Sequence, residues 1–127
     1  MSQPTAVILG ASANRSKFGN KSVRAHLQAG YQVFPVNPKA SEIEGLAVYA
    51  ALTEVPVRGV DRVSVYLPPA IGITLLEEIA VLEPDEVWLN PGTADDALLA
   101  AADDIGLTVI EGCSIVDLGL SPSQFPG

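Results

Sequence analysis

Three short segments of this 127-residue chain carry residue types suited to holding an anionic small molecule. The first is Gly10-Ala11-Ser12, with Lys17-Phe18-Gly19 just beyond it. It closes the apolar run Ala6-Val7-Ile8-Leu9 and precedes a helical pattern. A small-residue loop between a buried strand and a helix presents unpaired backbone N–H groups, and the helix dipole favours negative charge there. The Ser12 hydroxyl and the N–H groups around it could wrap a phosphate oxygen, and Lys17 adds a point charge. Gly19, at the head of the helix, leaves room for close approach by a ligand. Arg15 shares the loop and can also reach a phosphate. Lys21 and Arg24 fall on the helix, on a face expected to be solvated.

The second segment is Asn37-Pro38-Lys39. A dinucleotide site commonly places Asp or Glu here to accept hydrogen bonds from ribose hydroxyls. Asn37 with Lys39 two residues on suits a phosphorylated ribose instead. The third group consists of turn residues at later strand ends. Pro68-Pro69 could form a rigid apolar wall or simply stop a strand. In Pro91-Gly92-Thr93, the threonine could donate to a ligand, but capping the next helix is its expected role. Cys113 could touch a ligand's thiol end.

Charge is segregated along the chain. Every Asp and Glu lies at Glu42 or later, so the first 41 residues carry +5 and the rest −13, for a net charge of −8. An acidic chain that has cleared one end of carboxylates points to a phosphate-bearing small molecule. Its pI near 4.3 argues against nucleic acid, which needs a broad basic surface. One cysteine cannot form an internal disulfide and is compatible with a reducing compartment. The N-terminus has no leader pattern, and no stretch approaches the roughly 20 apolar residues that span a bilayer. A soluble cytoplasmic protein is expected, with no membrane partner.

The elements that must position these residues follow from periodicity. Strands are predicted over Thr5–Gly10, Tyr31–Val36, Arg62–Leu67, Glu86–Asn90 and Leu107–Glu111. Pro35 places its strand at an edge or at its end. Helices are predicted from about Phe18 to Gln28 with Val23 and Leu27 on one face, from Ala70 to Leu82 with Ile71, Leu75, Ile79 and Leu82 on one stripe, and from Ala94 to Asp104. Gly30 and Gly106 end two of them. Residues 39–56 read as a loop around Gly45 and then a turn or two of helix over Ala50–Val55. Strands alternating with helices give an α/β fold, a doubly wound parallel sheet of about five strands in a single domain over residues 1–127. In such sheets ligands bind outside the carboxyl ends of the strands, where the loops above converge.

Along Thr5 to Cys113 the chain resembles the CoA-binding domain family. This is the Rossmann-like domain at the N-terminal half of the succinyl-CoA synthetase α subunit, also found as small stand-alone bacterial proteins. The resemblance rests on Val7-Ile8-Leu9-Gly10-Ala11-Ser12, Lys17-Phe18-Gly19-Asn20, Gly30-Tyr31 and Val33-Phe34-Pro35-Val36-Asn37-Pro38-Lys39. It continues through Glu42-Ile43-Glu44-Gly45, Pro68-Pro69 and Val87-Trp88-Leu89. It implies strand order 3-2-1-4-5 and CoA or an acyl-CoA as ligand, with the pyrophosphate near the first loop and adenosine near the second strand. The implied core is 5–113, and the tail 114–127 matches no motif.

No catalytic constellation stands out. His26 lies mid-helix beside the apolar stripe and reads as packed. Cys113 lacks an activating base. No metal-ligand cluster, P-loop or nucleophile elbow is present. The leading expectation is a CoA-binding module without catalysis of its own. Alternatives are an NADP-dependent oxidoreductase, or the nucleotide-binding half of one, and a ligand-free regulatory subunit of an acyl-CoA enzyme. Self-association or a partner subunit would cover exposed parts of the sheet.

Overall fold

A computed structural model describes residues 3–127. Met1 and Ser2, on which part of the N-terminal expectation falls, lie outside the described residues. Five parallel strands build the central sheet: β1 (Thr5–Leu9), β2 (Gln32–Val36), β5 (Arg62–Val65), β6 (Glu86–Leu89) and β7 (Ile110–Glu111), in the order β2-β1-β5-β6-β7. Between β2 and β5 lies a small hairpin, β3 (Glu42–Ile43) and β4 (Leu46–Ala47).

The 3-2-1-4-5 pattern is present, but Arg62–Val65 takes the fourth place and not the third. The third place, outside β2, is held by a single parallel bridge at Tyr49. Tyr49 donates its N–H to the Pro35 carbonyl (3.0 Å), and its own carbonyl accepts from the Asn37 N–H (3.0 Å). Pro35 thus turns its hydrogen-bonding side outward, so its missing N–H leaves the β1–β2 ladder intact. The fold is a single-domain, Rossmann-like α/β sheet.

Both sheet faces are buried, as parallel strands require. Val7 and Leu9 point to one side, into a core with Val63, Val65, Val87, Leu89, Ile79 and Leu98. Ala6 and Ile8 point to the other, against Val23 and Val33. The first helix, α1, spans Phe18–Gln28. It ends at Gly30 (φ +90°), where the Gly30 and Tyr31 N–H groups return to the carbonyls of Leu27 and His26. That is a Schellman ending, which needs a residue tolerant of positive φ.

Several local expectations are corrected. Leu27 is 37% exposed, and α1 instead buries Val23, Ala25 and His26. The reason is a second covering layer. The tail forms α5 (Ser114–Asp117) and a 3-10 turn at Pro122–Gln124, and Ile115 and Phe125 pack on Ala25. The helix expected over Ala70–Leu82 is broken into α2 (Pro69–Gly72), a 3-10 turn (Ile73–Leu75) and α3 (Leu76–Val81). The Thr74 hydroxyl donates to the Ile71 carbonyl at 2.6 Å, competing with the α-helical ladder where the chain tightens. The break rotates the stripe: Leu76, Ile79 and Leu82 are buried, while Ile71 is half exposed.

Thr93 does not cap the next helix, α4 (Asp96–Asp104). Asp95 does, accepting from the Leu98 N–H at 2.8 Å. The final strand is only Ile110–Glu111. Around Gly45 the loop is the hairpin turn itself, with Glu44 and Gly45 at φ 50° and 77°, the signs a type I′ turn needs. Ala50–Val55 holds only a 3-10 turn at Leu52–Glu54.

Candidate functional site

At the carboxyl ends of the parallel strands the loops enclose a cleft of about 1090 Å³. This is the size class of small-molecule and cofactor sites. Gly10, Ala11, Ser12, Lys17, Phe18 and Gly19 line one part of it, and Asn37 and Pro38 another. Pro68, Pro91, Gly92, Thr93 and Cys113 complete the sequence-selected lining. Two selected residues stand outside. Lys39 is exposed beyond Pro38, and Pro69 is spent as the first residue of α2 after the N-cap Pro68.

The first loop is shaped by the chain's own backbone. The N–H groups of Gly10 and Ala11 both donate to the Val36 carbonyl at 3.2 Å, which ties the end of β1 to the end of β2. They are therefore engaged, unlike those of Ser12 and Ala13. Among the described residues, the Ser12, Ala13, Phe18 and Gly19 N–H groups have no partner, and the N-cap Lys17 makes no side-chain cap. The Ser12 hydroxyl accepts from the Asn14 N–H at 3.0 Å, which closes a local turn.

Gly19 has a different use from the one expected. A Cβ there would lie 2.2 Å from the Gly10 carbonyl oxygen. The space freed by its missing side chain holds the protein's own loop, with α1 pressed against it. Gly10 is equally constrained: its φ is +88°, and a Cβ would lie 2.8 Å from the Tyr66 carbonyl oxygen.

The cationic segment is also redistributed. Arg15 pairs with Glu44 at 3.3 Å. Lys21 donates to the Phe125 carbonyl at 3.0 Å, and Arg24 to the Phe125 and Pro126 carbonyls at 2.9 Å each. The expected solvated face of α1 is instead where the tail docks. Lys17 and Glu78 are the charged residues of the cleft lining, with Glu78 standing on the α3 wall beside Leu52 and Leu75.

Asn37 is a fastening residue. Its Oδ1 accepts from the Lys39 and Ala40 N–H groups (2.7 and 3.0 Å), and its Nδ2 donates to the Ala11 carbonyl at 2.8 Å. It folds the second loop and braces the first. Beneath the opposite end lies a buried polar cluster. Asn90 donates to the Ser64 hydroxyl and the Val65 carbonyl (2.9 Å each) and accepts from the Ser114 N–H (2.9 Å). Ser64 and Ser114 hydroxyls meet at 2.7 Å, and the Tyr66 hydroxyl is 3.1 Å from Ser114. Burial raises the Tyr66 pKa, so the ring stays a neutral phenol. Thr93 donates its hydroxyl to the Asn90 carbonyl (2.7 Å) within the Asn90-Pro91-Gly92-Thr93 turn, where Gly92 has φ +87°. Proline and then a positive-φ glycine at its centre suit a type II turn.

Cys113 borders the cleft, while His26 does not line it. His26 is fully buried, with Nδ1 2.8 Å from the Ser22 carbonyl and its ring edge-on to Tyr31. Burial lowers its pKa to about 4, the Ser22 carbonyl opposing that shift. Among the described residues no three His, Cys, Asp or Glu side chains cluster to hold a metal ion. No helix among the described residues is long and apolar enough to cross a membrane.

The family model described as the CoA binding domain matches residues 4–119. The chain belongs to the CoA-binding domain family. This CoA-binding domain is similar to solved structures of comparable size. A conserved hypothetical protein from Pyrococcus furiosus is 30% identical, with 91% of this chain and 99% of that one covered and a TM-score of 0.80. A protein from Thermus thermophilus described as cell-free ID.343 is 29% identical, with 91% and 87% covered and a TM-score of 0.81. The same fold recurs within a larger chain, the acetyl-coenzyme A synthetase 1 of Ca. Korarchaeum cryptofilum. It was solved with phosphate and ADP and is 24% identical, with 84% of this chain and 25% of that one covered and a TM-score of 0.70.

Cleft residues that sequence reasoning missed include Tyr66, Leu67, Ile71, Leu75 and Glu78. Tyr66-Leu67 fall inside the predicted strand Arg62–Leu67, but the observed strand stops at Val65 and releases them to the cleft before Pro68. Ile71 and Leu75 could not, because a regular stripe assigns them to the core.

Proposed function

We propose that this CoA-binding domain binds CoA or an acyl-CoA and acts as a ligand-holding module without catalysis of its own. The observation that carries the reading is the position of the open cleft. It runs across the strand ends from the helix-headed loop at Gly10–Gly19 to Cys113, in a chain of the CoA-binding domain family. The pyrophosphate would lie at the unpartnered N–H groups of Ser12, Ala13, Phe18 and Gly19, with Lys17 beside it. The adenosine would lie toward Asn37 and Pro38, where the exposed Lys39 ammonium can swing to a ribose phosphate. Pro68, Leu67 and Ile71 supply apolar wall. The pantetheine arm would run past Pro91, Gly92 and Thr93 toward Cys113. A binding role accords with the burial of His26, whose imidazole is held neutral away from the cleft.

Isothermal titration tests the reading. CoA should bind at one site per chain with a dissociation constant of about 10 μM or less. Lys39→Glu should weaken CoA more than dephospho-CoA, and equal losses would remove Lys39 from the site. Heat with NADP but none with millimolar CoA would overturn the reading in favour of a pyridine-nucleotide protein.

A further inference from the structure

Arg24 falls on a face of α1 that the sequence predicts to be solvated, yet the structure gives it four hydrogen bonds to three separate parts of the chain. Its Nη2 donates to the Arg15 carbonyl (2.8 Å) and the Phe125 carbonyl (2.9 Å), and Nη1 to the Pro126 carbonyl (2.9 Å). Its Nε donates to the Asn20 Oδ1 at 2.8 Å. Asn20 is fully buried, and its Nδ2 donates to the Ser12 carbonyl (2.9 Å) and the Glu44 carboxylate (3.1 Å). The Phe125 ring packs under the guanidinium, 5.8 Å from centroid to carbon. Two carbonyls of the first loop are thus held from behind by α1 side chains, and the same guanidinium holds the tail.

We propose that Arg24 is a positioning residue for the phosphate-facing loop 12–17 and links that loop to the C-terminal tail. The geometry works through peptide planarity. In a trans peptide the C=O of one residue and the N–H of the next point in opposite directions. The described peptides are all trans. Drawing the Ser12 carbonyl back onto Asn20 therefore turns the Ala13 N–H away from α1, as one of the unpartnered donors. A lysine could not do this, because only a planar fork reaches Arg15, Asn20 and the tail together. Among the described residues Arg24 pairs with no carboxylate, so its charge is left behind the loop, where it favours an anion in front. Linkage is reciprocal: if tail docking orders the loop, ligand at the loop must tighten the tail.

The proposal rests on the CoA reading for its ligand, but its first measurement does not. Amide hydrogen exchange in the free protein should show residues 12–17 exchanging faster in Arg24→Ala than in the wild type. CoA should slow exchange at 123–127 in the wild type and not in Arg24→Ala. Its affinity for CoA should fall about tenfold, and Arg24→Lys, which keeps the charge and loses the fork, should fall nearly as far. Unchanged exchange at 12–17 together with CoA affinity within twofold of wild type would overturn the proposal. An Arg24→Lys variant indistinguishable from wild type would reduce the role to charge alone and overturn the positioning claim. If Arg24→Ala fails to fold, Phe125→Ala keeps every cation and should give the same changes to a smaller degree; no change at 12–17 would then overturn the proposal. If the wild type binds no CoA, the functional reading fails, while exchange in the free protein still decides whether Arg24 orders the loop.

Discussion

Gly19→Ala separates two meanings of a glycine at the head of a helix. If Gly19 were kept small to admit a ligand, alanine would lower affinity and leave the free protein as stable or more so. Removing a helix glycine ordinarily gains about 0.5–1 kcal/mol. The structure predicts the opposite. The new Cβ would sit 2.2 Å from the Gly10 carbonyl oxygen and 3.3 Å from the Ala11 Cα, all backbone. Ordinary contact begins near 3.4 Å, so the start of α1 must move by about 1 Å relative to the end of β1. Gly10 cannot yield, because it is wedged against the Tyr66 carbonyl and bonded to Val36. Overpacking of this kind costs about 1–3 kcal/mol, and more when only backbone can give. A net loss of about 2 kcal/mol is expected after the helix-propensity gain. Urea denaturation of the ligand-free protein measures it directly, with unchanged m-value as the check on two-state behaviour. Wild-type stability, or better, in the free Gly19→Ala protein would refute the packing account and return Gly19 to the ligand.

Two further predictions concern the side of the sheet under the tail. His26 is held neutral with a pKa near 4, against 6.5 when unfolded. Its folded value is depressed, so the unfolded chain takes up the proton first, and stability present above pH 6.5 is lost as the pH falls towards 4. Wild type should lose about 2 kcal/mol more than His26→Phe between pH 7 and pH 5, read from urea midpoints; parallel profiles would rule this out. Arg62 lies between the Tyr31 and Trp88 rings, 5.4 Å from each, and bonds Glu86 (2.9 Å) and Asp117 (2.8 Å). Arg62→Ala should cost about 3 kcal/mol in chemical denaturation, because it removes the filling of that slot and frees two carboxylates. Glu86→Gln, on the half-exposed partner, should cost under about 1 kcal/mol.

The strands were legible because buried parallel strands are written as unbroken aliphatic runs, as in Ala6-Val7-Ile8-Leu9. The loop cluster was legible because turn residues follow each run. What escaped was long-range and compensatory. Nothing local to Tyr49 announces that one residue fills a strand position; its place depends on Pro35 turning outward. The break at Ile73–Leu75 coincides with a hydroxyl bond from Thr74 to the Ile71 carbonyl, while the apolar spacing around it is helical. The docking of the tail on Arg24 and Lys21 was hidden because the partners there are carbonyls about a hundred residues away, and carbonyls carry no signature in sequence. Gly19 was singled out correctly as sterically special, but sequence could not name the atom that needed the space.

The two margins of the sheet share a property. On one side, Pro35 offers no N–H, and its carbonyl is already satisfied by Tyr49. On the other, β7 is two residues long. Neither presents a run of free backbone groups on which a further strand could grow, which protects a protein rich in β-branched segments from fibrillar stacking. Any assembly this domain enters must therefore be built through side-chain surfaces, where specificity can be encoded residue by residue, and not by lengthening its ladder.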